Sequence, residues 1–293
     1  MRLKHFQEMS YLTLIGACEL ASELQSAVAP VVLSCGGEPA DPGAGRRFHE
    51  FGHIAGASHV SMDDSLCGAR TGRNGRNPLP EPDVFLRAMS ALGVGDDTQV
   101  VAYDSSGGLY AARLWWMLRW AGHRAVAVLD GGLDAWLIAG LPLTRERARP
   151  PRPKQLHARR SLMRTVTYAE LSADLALPRW LVLDARPADR FRGENELLEP
   201  RAGHIPGARN RPFRDNLDSS GRFKSAARLR QEFEAITSDH SASGIVSQCG
   251  SGVSACHNLL AMEVAGLSGA ALYPGSWSEW SAQPDAVIAT GEA

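Results

Sequence analysis

Residues 244–254 read GIVSQCGSGVS, which predicts a buried strand, a glycine-containing turn and the start of a helix. The strand is expected at 244–247 and the helix at 253–264, with Cys249 in the turn between them. Strand–helix alternation is typical of α/β folds with a mainly parallel sheet, in which ligands bind beyond the carboxyl ends of the strands. The segment therefore predicts an α/β fold and places Cys249 where such folds bind ligands.

The chain contains this organisation twice. GHIAGA at 52–57 matches GHIPGA at 203–208, and three further residues recur in the same order 144 positions later: Gly122, Gly131 and Trp136 match Gly266, Gly275 and Trp280. We predict two domains, residues 1–144 and 165–293, each a mainly parallel sheet flanked by helices. Strands are expected near 31–34, 99–103, 126–129, 181–184, 244–247 and 270–273, and helices at 19–27, 109–120 and 253–264. Residues 145–164, rich in Lys, Arg and Pro, predict an extended solvated linker, with a basic binding patch as the alternative.

Composition narrows the functional class. The 293 residues carry a formal net charge of -1, so no overall field favours nucleic acid or an anionic membrane. No stretch approaches the ~20 apolar residues of a membrane span. The five cysteines are odd in number and form no CxxC pair, so neither a zinc ribbon nor a thioredoxin-type pair is indicated. The expected compartment is a reducing cytoplasm.

Cys249 is the strongest candidate for a reactive group. Glycines let a turn approach a ligand closely, and the turn amides and the following helix N-terminus stabilise a thiolate or persulfide. We therefore expect an accessible thiol, the alternative being a buried structural cysteine. Cys256 falls on the apolar face of the helix and is expected in the core. The position equivalent to Cys249 in the first copy is Ser105, so that copy is expected to be non-catalytic.

The chain resembles the tandem rhodanese family of thiosulfate and 3-mercaptopyruvate sulfurtransferases. Three segments carry the resemblance: GHIPGA at 203–208, DAR at 184–186 followed by Arg190-Phe191, and YPGSWSEW at 273–280. Similarity to this family implies a sulfurtransferase without metal or organic cofactor. Cys249 would attack the outer sulfur of a donor, become a persulfide, and pass the sulfur to a thiol, thioredoxin or cyanide.

The donor is indicated by the residues that follow the cysteine. Thiosulfate-type members resemble Cys-Arg-Lys-Gly-Val-Thr, whereas this turn has no charge and is similar to the 3-mercaptopyruvate class. Substrate binding is then expected from the turn and two arginines: Gly250, Gly252, Val253, Ser254, Arg190 and Arg201. Arginine suits a substrate carboxylate because its planar fork matches that group. Glu194, Glu196 and Glu199 either partly neutralise these arginines or form a solvated loop.

One position departs from the family. The resemblance implies that Ser251 works with Asp63 and a histidine, but the histidine position is Asn77. Asparagine holds a hydrogen bond but exchanges no proton, so the proton relay is in doubt. His53 could substitute if it faced the cleft, although a structural role is expected for His53 and His204.

Three other functions remain as alternatives. The same persulfide chemistry could use thiosulfate as donor. A cysteine phosphatase would need an arginine six residues after the cysteine, where Ala255 stands, so an uncharged turn argues against phosphoryl transfer. A non-catalytic binding module is suggested by Ser105 and Asn77 but opposed by the intact Cys249 turn.

Overall fold

The computed structural model describes residues 11–37, 41, 43–147, 151–238 and 240–292. Within these ranges the chain forms two five-stranded sheets, and every pairing of neighbouring strands is parallel. Helices flank both sheets, which confirms the predicted α/β architecture with two similar domains.

The first domain has a five-stranded sheet with a largely buried centre. The strands are β1 (Leu14–Ile15), β2 (Val31–Gly36), β3 (Ser58–Ser61), β4 (Val100–Tyr103) and β5 (Val126–Leu129). The helices are α1 (Ala17–Glu23), α2 (Ala44–Phe51), α3 (Met62–Ser65), α4 (Pro82–Ala91), α5 (Leu109–Trp120) and α6 (Gly132–Ile138). The spatial order is β1-β5-β4-β2-β3. Burial of the whole of β4 and β5 matches their continuous apolar sequence, as expected for strands covered on both faces.

The second domain repeats this order. Its strands are β6 (Arg164–Thr165), β7 (Leu181–Asp184), β8 (Arg209–Asn210), β9 (Ile245–Gln248) and β10 (Ala271–Leu272). Its helices are α7 (Tyr168–Asp174), α8 (Ala188–Arg192), α9 (Ala226–Thr237), α10 (Ser254–Val264) and α11 (Ser276–Trp280), with 3-10 turns at Phe213–Asn216 and Ala242–Gly244. The order β6-β10-β9-β7-β8 is that of the first sheet, strand for strand. The internal repeat in the sequence therefore corresponds to a duplicated fold.

The six predicted strands correspond to β2, β4, β5, β7, β9 and β10. The strands that the sequence did not predict are the four sheet edges, β1, β3, β6 and β8. Edge strands are short and lack a continuous apolar run, so their sequence gives a weak signal. Helix α5 has the predicted bounds, α10 begins one residue later than expected, and α1 spans Ala17–Glu23 rather than 19–27.

One cluster of buried apolar residues is shared by the two domains. Helix α5 of the first packs against α10 of the second, and a single cluster of buried apolar residues includes Trp115, Trp116 and Leu259. An ion pair between Arg119 and Glu263, at 3.5 Å, joins the same two helices. This packing brings loops of the first domain against the turn that follows β9.

The segment between the domains lies on the first domain. Its described part before β6, residues 145–147 and 151–163, contains no helix or strand; residues 148–150 fall outside the described ranges. The amide of His157 donates to Asp96 Oδ1 at 2.9 Å, and Leu156 is 8% exposed. The described linker residues thus have no regular secondary structure, and some of them pack on the first domain.

In the described ranges, no helix combines the length and the apolar character that crossing a bilayer requires.

Candidate active site

The main chain of the turn after β9, which contains Cys249, is hydrogen-bonded to α11. The N–H of Cys249 donates to Ser276 Oγ at 3.1 Å, and the N–H of Trp277 donates to the Cys249 carbonyl at 2.9 Å. The N–H of Ser278 donates to the Gly250 carbonyl, also at 2.9 Å. Trp277 is fully buried, so the C-terminal signature acts as a rigid support for the cysteine turn.

The sulfur of Cys249 accepts a hydrogen bond from the N–H of Gly252 at 3.1 Å. Gly252 has φ +77, and a Cβ at this position would lie 2.4 Å from the Pro274 carbonyl oxygen. Glycine is therefore required here both for its backbone conformation and for space. The sequence predicts several convergent amides; among the described residues, the N–H of Gly252 is the one that donates to this sulfur. The N-terminus of α10 follows and adds positive partial charge.

Cys249 is only 2% exposed, so the expectation of an accessible thiol is wrong for this conformation. The first domain packs on the N-cap of α11, the helix that supports this turn: a Cβ on Gly75 would lie 2.6 Å from the Gly275 carbonyl oxygen. Sequence periodicity describes one domain at a time, and it therefore gave no sign that Cys249 is buried.

The second thiol of this region, Cys256, lies in the core as predicted. Burial raises the pKa of Cys256 to about 12. Its Sγ–H donates to the Gly252 carbonyl at 3.3 Å. Cys256 is thus a protonated donor that holds the turn, not a second nucleophile.

Ser251 meets Asn77 across the domain interface. Asn77 Nδ2 donates to Ser251 Oγ at 2.9 Å. Asp63 instead pairs with Arg70 at 3.0 Å, with its side chain 41% exposed, and no described contact joins it to Ser251. The structure therefore brings together two of the three residues of the expected relay. Asn77 occupies the histidine position as a hydrogen-bond donor.

Arg113 is a buried cation that supports this pair and that sequence reasoning missed. It lies on α5 with no exposed surface and donates to the carbonyls of Gly252, Asn77 and Leu66 at 3.0 to 3.2 Å. The sequence did contain a signal for Arg113: it is a charged residue within the apolar run LYAARLWWMLRW, and a buried charge needs hydrogen-bonding partners. Arg113 fastens the cysteine turn to the first domain.

Two guanidinium groups flank the turn beside the cysteine. A Cβ on Gly250 would lie 3.3 Å from Arg76 Nη2 and 3.5 Å from Arg190 Nη1, and these two side chains provide its three nearest atoms. Arg190 Nη2 is 2.8 Å from Glu196 Oε1, and Arg76 Nη2 is 3.1 Å from Glu199 Oε1. The structure thus places Arg190 beside the turn, as expected, and adds Arg76. Nothing in the sequence distinguishes Arg76 from the other polar residues of its loop.

Glu196 and Glu199 lie beneath these arginines, with side chains 1% and 5% exposed. They neutralise the arginines, whereas Glu194 pairs with Arg192 at the surface. Burial raises the pKa of Glu199, and the nearby charge of Arg76 opposes this shift.

Arg201 lies away from the turn. Its guanidinium donates to the carbonyls of Ser281, Ala286 and Gln283, and its own carbonyl accepts from Trp277 Nε1. Arg201 therefore holds the C-terminal segment, and the structure does not join it to Arg190 as a second cation. Of the remaining predicted contacts, Val253 is buried and Ser254 begins α10.

The two histidines of the repeated motif have structural surroundings. His53 Nδ1 is 2.8 Å from the His49 carbonyl, and His204 Nδ1 is 2.8 Å from the Phe191 carbonyl. Both histidines are at least 97% buried, and His204 stacks on the Phe191 ring. Neither has a described contact with the cysteine turn.

The equivalent turn of the first domain binds an internal carboxylate. Asp104, which directly precedes Ser105, accepts hydrogen bonds at 2.8 to 2.9 Å from four backbone amides: those of Ser106, Gly108, Tyr110 and Ala111. Ser105 itself is exposed. A fixed carboxylate thus occupies the amide cradle of this copy, and the non-catalytic role of the copy stays a prediction.

Comparison with known proteins identifies relatives of both domains. The family model described as a rhodanese-like domain matches residues 24–139 and 167–283. A Pseudomonas aeruginosa protein named probable 3-mercaptopyruvate sulfurtransferase is 43% identical over 286 residues, 97% of this chain and 100% of the relative. The thiosulfate sulfurtransferase of Gallus gallus is 37% identical over 250 residues, 83% of this chain and 82% of the relative.

A solved structure shares the complete two-domain arrangement. The 3-mercaptopyruvate sulfurtransferase from Leishmania major matches with a TM-score of 0.81 and 28% sequence identity, over 92% of this chain and 74% of that one. The fold, the duplicated domains and these relatives agree, and the chain belongs to the rhodanese family of sulfurtransferases.

Proposed function

We propose that the chain transfers the sulfur of 3-mercaptopyruvate to an acceptor through a persulfide on Cys249. The observation that carries this proposal is the Cys249 sulfur held by the Gly252 N–H in an uncharged turn, with the Arg190 guanidinium beside Gly250. An arginine fork suits the carboxylate of a 2-oxo acid, and the turn residues themselves carry no cation.

The first half-reaction forms a sulfur–sulfur bond. The Cys249 thiolate attacks the thiol sulfur of 3-mercaptopyruvate, the carbon–sulfur bond breaks, and its electron pair passes to carbon as pyruvate enolate. A proton then converts the enolate to pyruvate. Because Ser251 Oγ accepts from Asn77, its own O–H is left to donate to a substrate, while Asn77 supplies no proton.

The second half-reaction restores the enzyme. A thiolate acceptor attacks the outer sulfur, becomes a persulfide and leaves Cys249 as thiolate; cyanide would become thiocyanate in the same way. This separation into two displacements is covalent catalysis. We propose a small thiol or thioredoxin as the acceptor in a reducing cytoplasm, since Cys18, Cys35, Cys67, Cys249 and Cys256 are all free.

Thiosulfate is the second candidate donor. Two guanidinium groups lie beside Gly250, and a relative named thiosulfate sulfurtransferase is 37% identical. Steady-state rates with both donors distinguish the two functions. A higher kcat/KM with thiosulfate would reject 3-mercaptopyruvate as the donor.

The persulfide itself is tested by mass spectrometry after incubation with 3-mercaptopyruvate. We expect one added sulfur atom on the peptide containing Cys249, and none in Cys249→Ser. Cys18→Ser is the matched control because Cys18 is an exposed free thiol far along the chain. Unmodified Cys249 in a folded wild-type protein, with either donor, would support a non-catalytic module instead.

A further inference from the structure

The first domain contains a cavity of about 570 Å³ at the carboxyl ends of β2 and β4. Residues of β2, the turn after β4, α2 and α6 line it, all between positions 34 and 143. Its volume falls in the range of small-molecule sites, and ligands of α/β folds bind beyond the carboxyl ends of the strands. The cavity therefore lies where a ligand is expected, in the domain that lacks the reactive thiol.

A difference between the two repeats explains why this space is open. Leu133 in α6 corresponds to Trp277 in α11, 144 positions later. The main chain supports this match, since the N–H of Leu133 donates to the Asp104 carbonyl at 3.0 Å and the N–H of Trp277 donates to the Cys249 carbonyl at 2.9 Å. Trp277 is fully buried, whereas Leu133 lines the cavity and is only partly buried. The first domain thus lacks an indole ring where the second domain contains one.

In the second domain the Trp277 ring packs against a buried ion pair. The Arg186 guanidinium carbon lies 4.7 Å from the centroid of the Trp277 ring. Arg186 Nη2 is 2.6 Å from Asp184 Oδ2, and these two side chains are 1% and 0% exposed. An aromatic ring and a neutralised cation therefore fill this region of the second domain.

The corresponding wall of the first domain carries no ion pair. The match of VLS at 32–34 with VLD at 182–184 places Ser34 and Gly36 at the positions of the acid and the arginine, and both line the cavity. A Cβ on Gly36 would lie 2.9 Å from Gly45 Cα, so the backbone of α2 closes this side. The wall is therefore uncharged.

The carboxylate that lines the cavity is already satisfied. Asp104 Oδ1 accepts from the amides of Ser106 and Gly108, and Oδ2 accepts from those of Tyr110 and Ala111, at 2.8 to 2.9 Å. Burial raises the pKa of this carboxyl, and the four hydrogen bonds oppose that shift. Among the described lining residues, no unpaired charge is therefore left for a ligand ion.

The other side chains around the cavity favour a neutral ring. Phe48 and Phe51 of α2 line it and are largely exposed, and Leu137 of α6 lines it with about half of its surface exposed. Burial lowers the pKa of His49, a further lining residue, to about 4, so its imidazole is neutral near neutral pH. Exposed aromatic residues beside a cavity provide apolar surface that a flat ring can cover.

We propose that this cavity binds a neutral, planar aromatic molecule, whose ring occupies the space that the Trp277 indole fills in the second domain. The site is distinct from the Cys249 turn, and the inference does not depend on which sulfur donor the chain uses.

The test is calorimetric titration of the protein with indole, the ring system of the tryptophan side chain. We expect a Kd below about 1 mM for a ligand of this size. Leu133→Trp introduces the residue of the second repeat and should raise the Kd at least about 10-fold by filling the cavity. Ile138→Trp is the matched control, because Ile138 is an exposed residue of the same helix outside the cavity, and its Kd should be unchanged. No binding by wild type, or a wild-type Kd in folded Leu133→Trp, would overturn the proposal.

If Leu133→Trp does not fold, Leu137→Trp replaces it. Leu137 is half exposed and has room for a larger side chain, which should narrow the cavity and raise the Kd for indole. A Kd equal to that of wild type would count against the site. Cys249→Ser locates the binding independently: its Kd for indole should match wild type, and a loss of binding would place indole at the cysteine turn and refute the proposal.

Charged indoles test the chemical class of the ligand. Indole-3-acetate and tryptamine should bind at least about 10-fold more weakly than indole-3-acetamide, which is neutral and of similar size, because a buried charge without a partner is costly. Equal or tighter binding of either ion would show that the cavity does not select a neutral molecule, contrary to the proposal.

Discussion

Asn77 Nδ2 and Ser251 Oγ lie 2.9 Å apart and join the two domains at the cysteine turn. The main-chain carbonyl of Asn77 accepts from Arg113, so the backbone that carries this side chain is fastened as well. The resemblance to the family implies a histidine at this position. The structure contains the hydrogen bond that such a residue would make, without a group that exchanges a proton near neutral pH.

Asn77→His restores a titratable group beside Ser251. We expect turnover of 3-mercaptopyruvate to rise, since an imidazole can supply the proton that pyruvate enolate needs, and turnover of thiosulfate to stay about the same. Asn77→Ala is the control, because it removes the hydrogen bond without adding a proton donor. Initial rates with both donors measure the effect, and a loss with both in Asn77→His would give the asparagine a positive role of its own.

Gly252→Ala should remove persulfide formation and destabilise the protein. The alanine would combine a positive φ with a contact of 2.4 Å to the Pro274 carbonyl oxygen, and the shifted turn would withdraw the N–H from the Cys249 sulfur. Gly207→Ala is a matched control, since Gly207 has φ +76 and open space around it.

Urea unfolding and persulfide mass spectrometry measure both variants. We expect Gly207→Ala to cost about 1–2 kcal/mol of unfolding free energy, the strain of the left-handed conformation, with persulfide formation intact. Equal losses in the two variants would show that the close contact at Gly252 has no separate effect.

Asp104→Asn should destabilise the first domain by about 2 kcal/mol. The Asp104 carboxylate accepts from four amides, and the NH2 group of asparagine would point a donor at other donors. Thermal or urea unfolding measures the loss. Ser105→Ala is the control, because the exposed Ser105 side chain should leave unfolding unchanged. Unaltered stability of Asp104→Asn would contradict the assignment of the carboxylate as the ligand of this cradle.

The pKa of Glu199 is raised above 4.5 by burial, and this predicts a pH-dependent stability. Its contribution is fully present below the unfolded-state pKa and is lost as pH rises through the raised folded-state pKa. The groups that face it are Arg76, Glu196, Arg190 and Arg186. Glu199→Gln cannot ionise, so the unfolding free energy of this variant should rise relative to wild type as pH increases.

Glu194→Gln should show the opposite pH dependence of the unfolding free energy. Its hydrogen bond with Arg192 lowers the pKa of Glu194, so wild-type stability from this group is present above the unfolded-state pKa and lost as pH falls through the folded-state pKa. Unfolding free energies of both variants across the acidic range test the pair. Parallel pH profiles would contradict the buried position assigned to Glu199.

Local sequence was sufficient to predict the part of the site that is formed by one strand, one turn and one helix. The apolar run of β9, the glycines and the helix α10 place Cys249 correctly because hydrogen bonds between near neighbours decide those conformations. Arg190 was predicted from a motif on the same domain. Arg201 and Asp63 were expected near the turn but contact other partners, Ser281 and Arg70, because tertiary packing decides which partner a polar side chain meets.

The sequence by itself determined a duplicated α/β fold, a cysteine at a strand-to-helix turn in the second copy, and the absence of that thiol from the first. These depend on apolar periodicity, glycine and internal repetition, all of which act over short stretches of chain. Only the tertiary structure decided that Arg76 joins Arg190 at Gly250, that Arg113 and Asn77 brace the turn, and that Cys249 is covered. The contacts that Arg76, Asn77 and Arg113 make with the turn join residues 139 or more positions apart, from different domains. Their geometry is set by how α5 packs on α10.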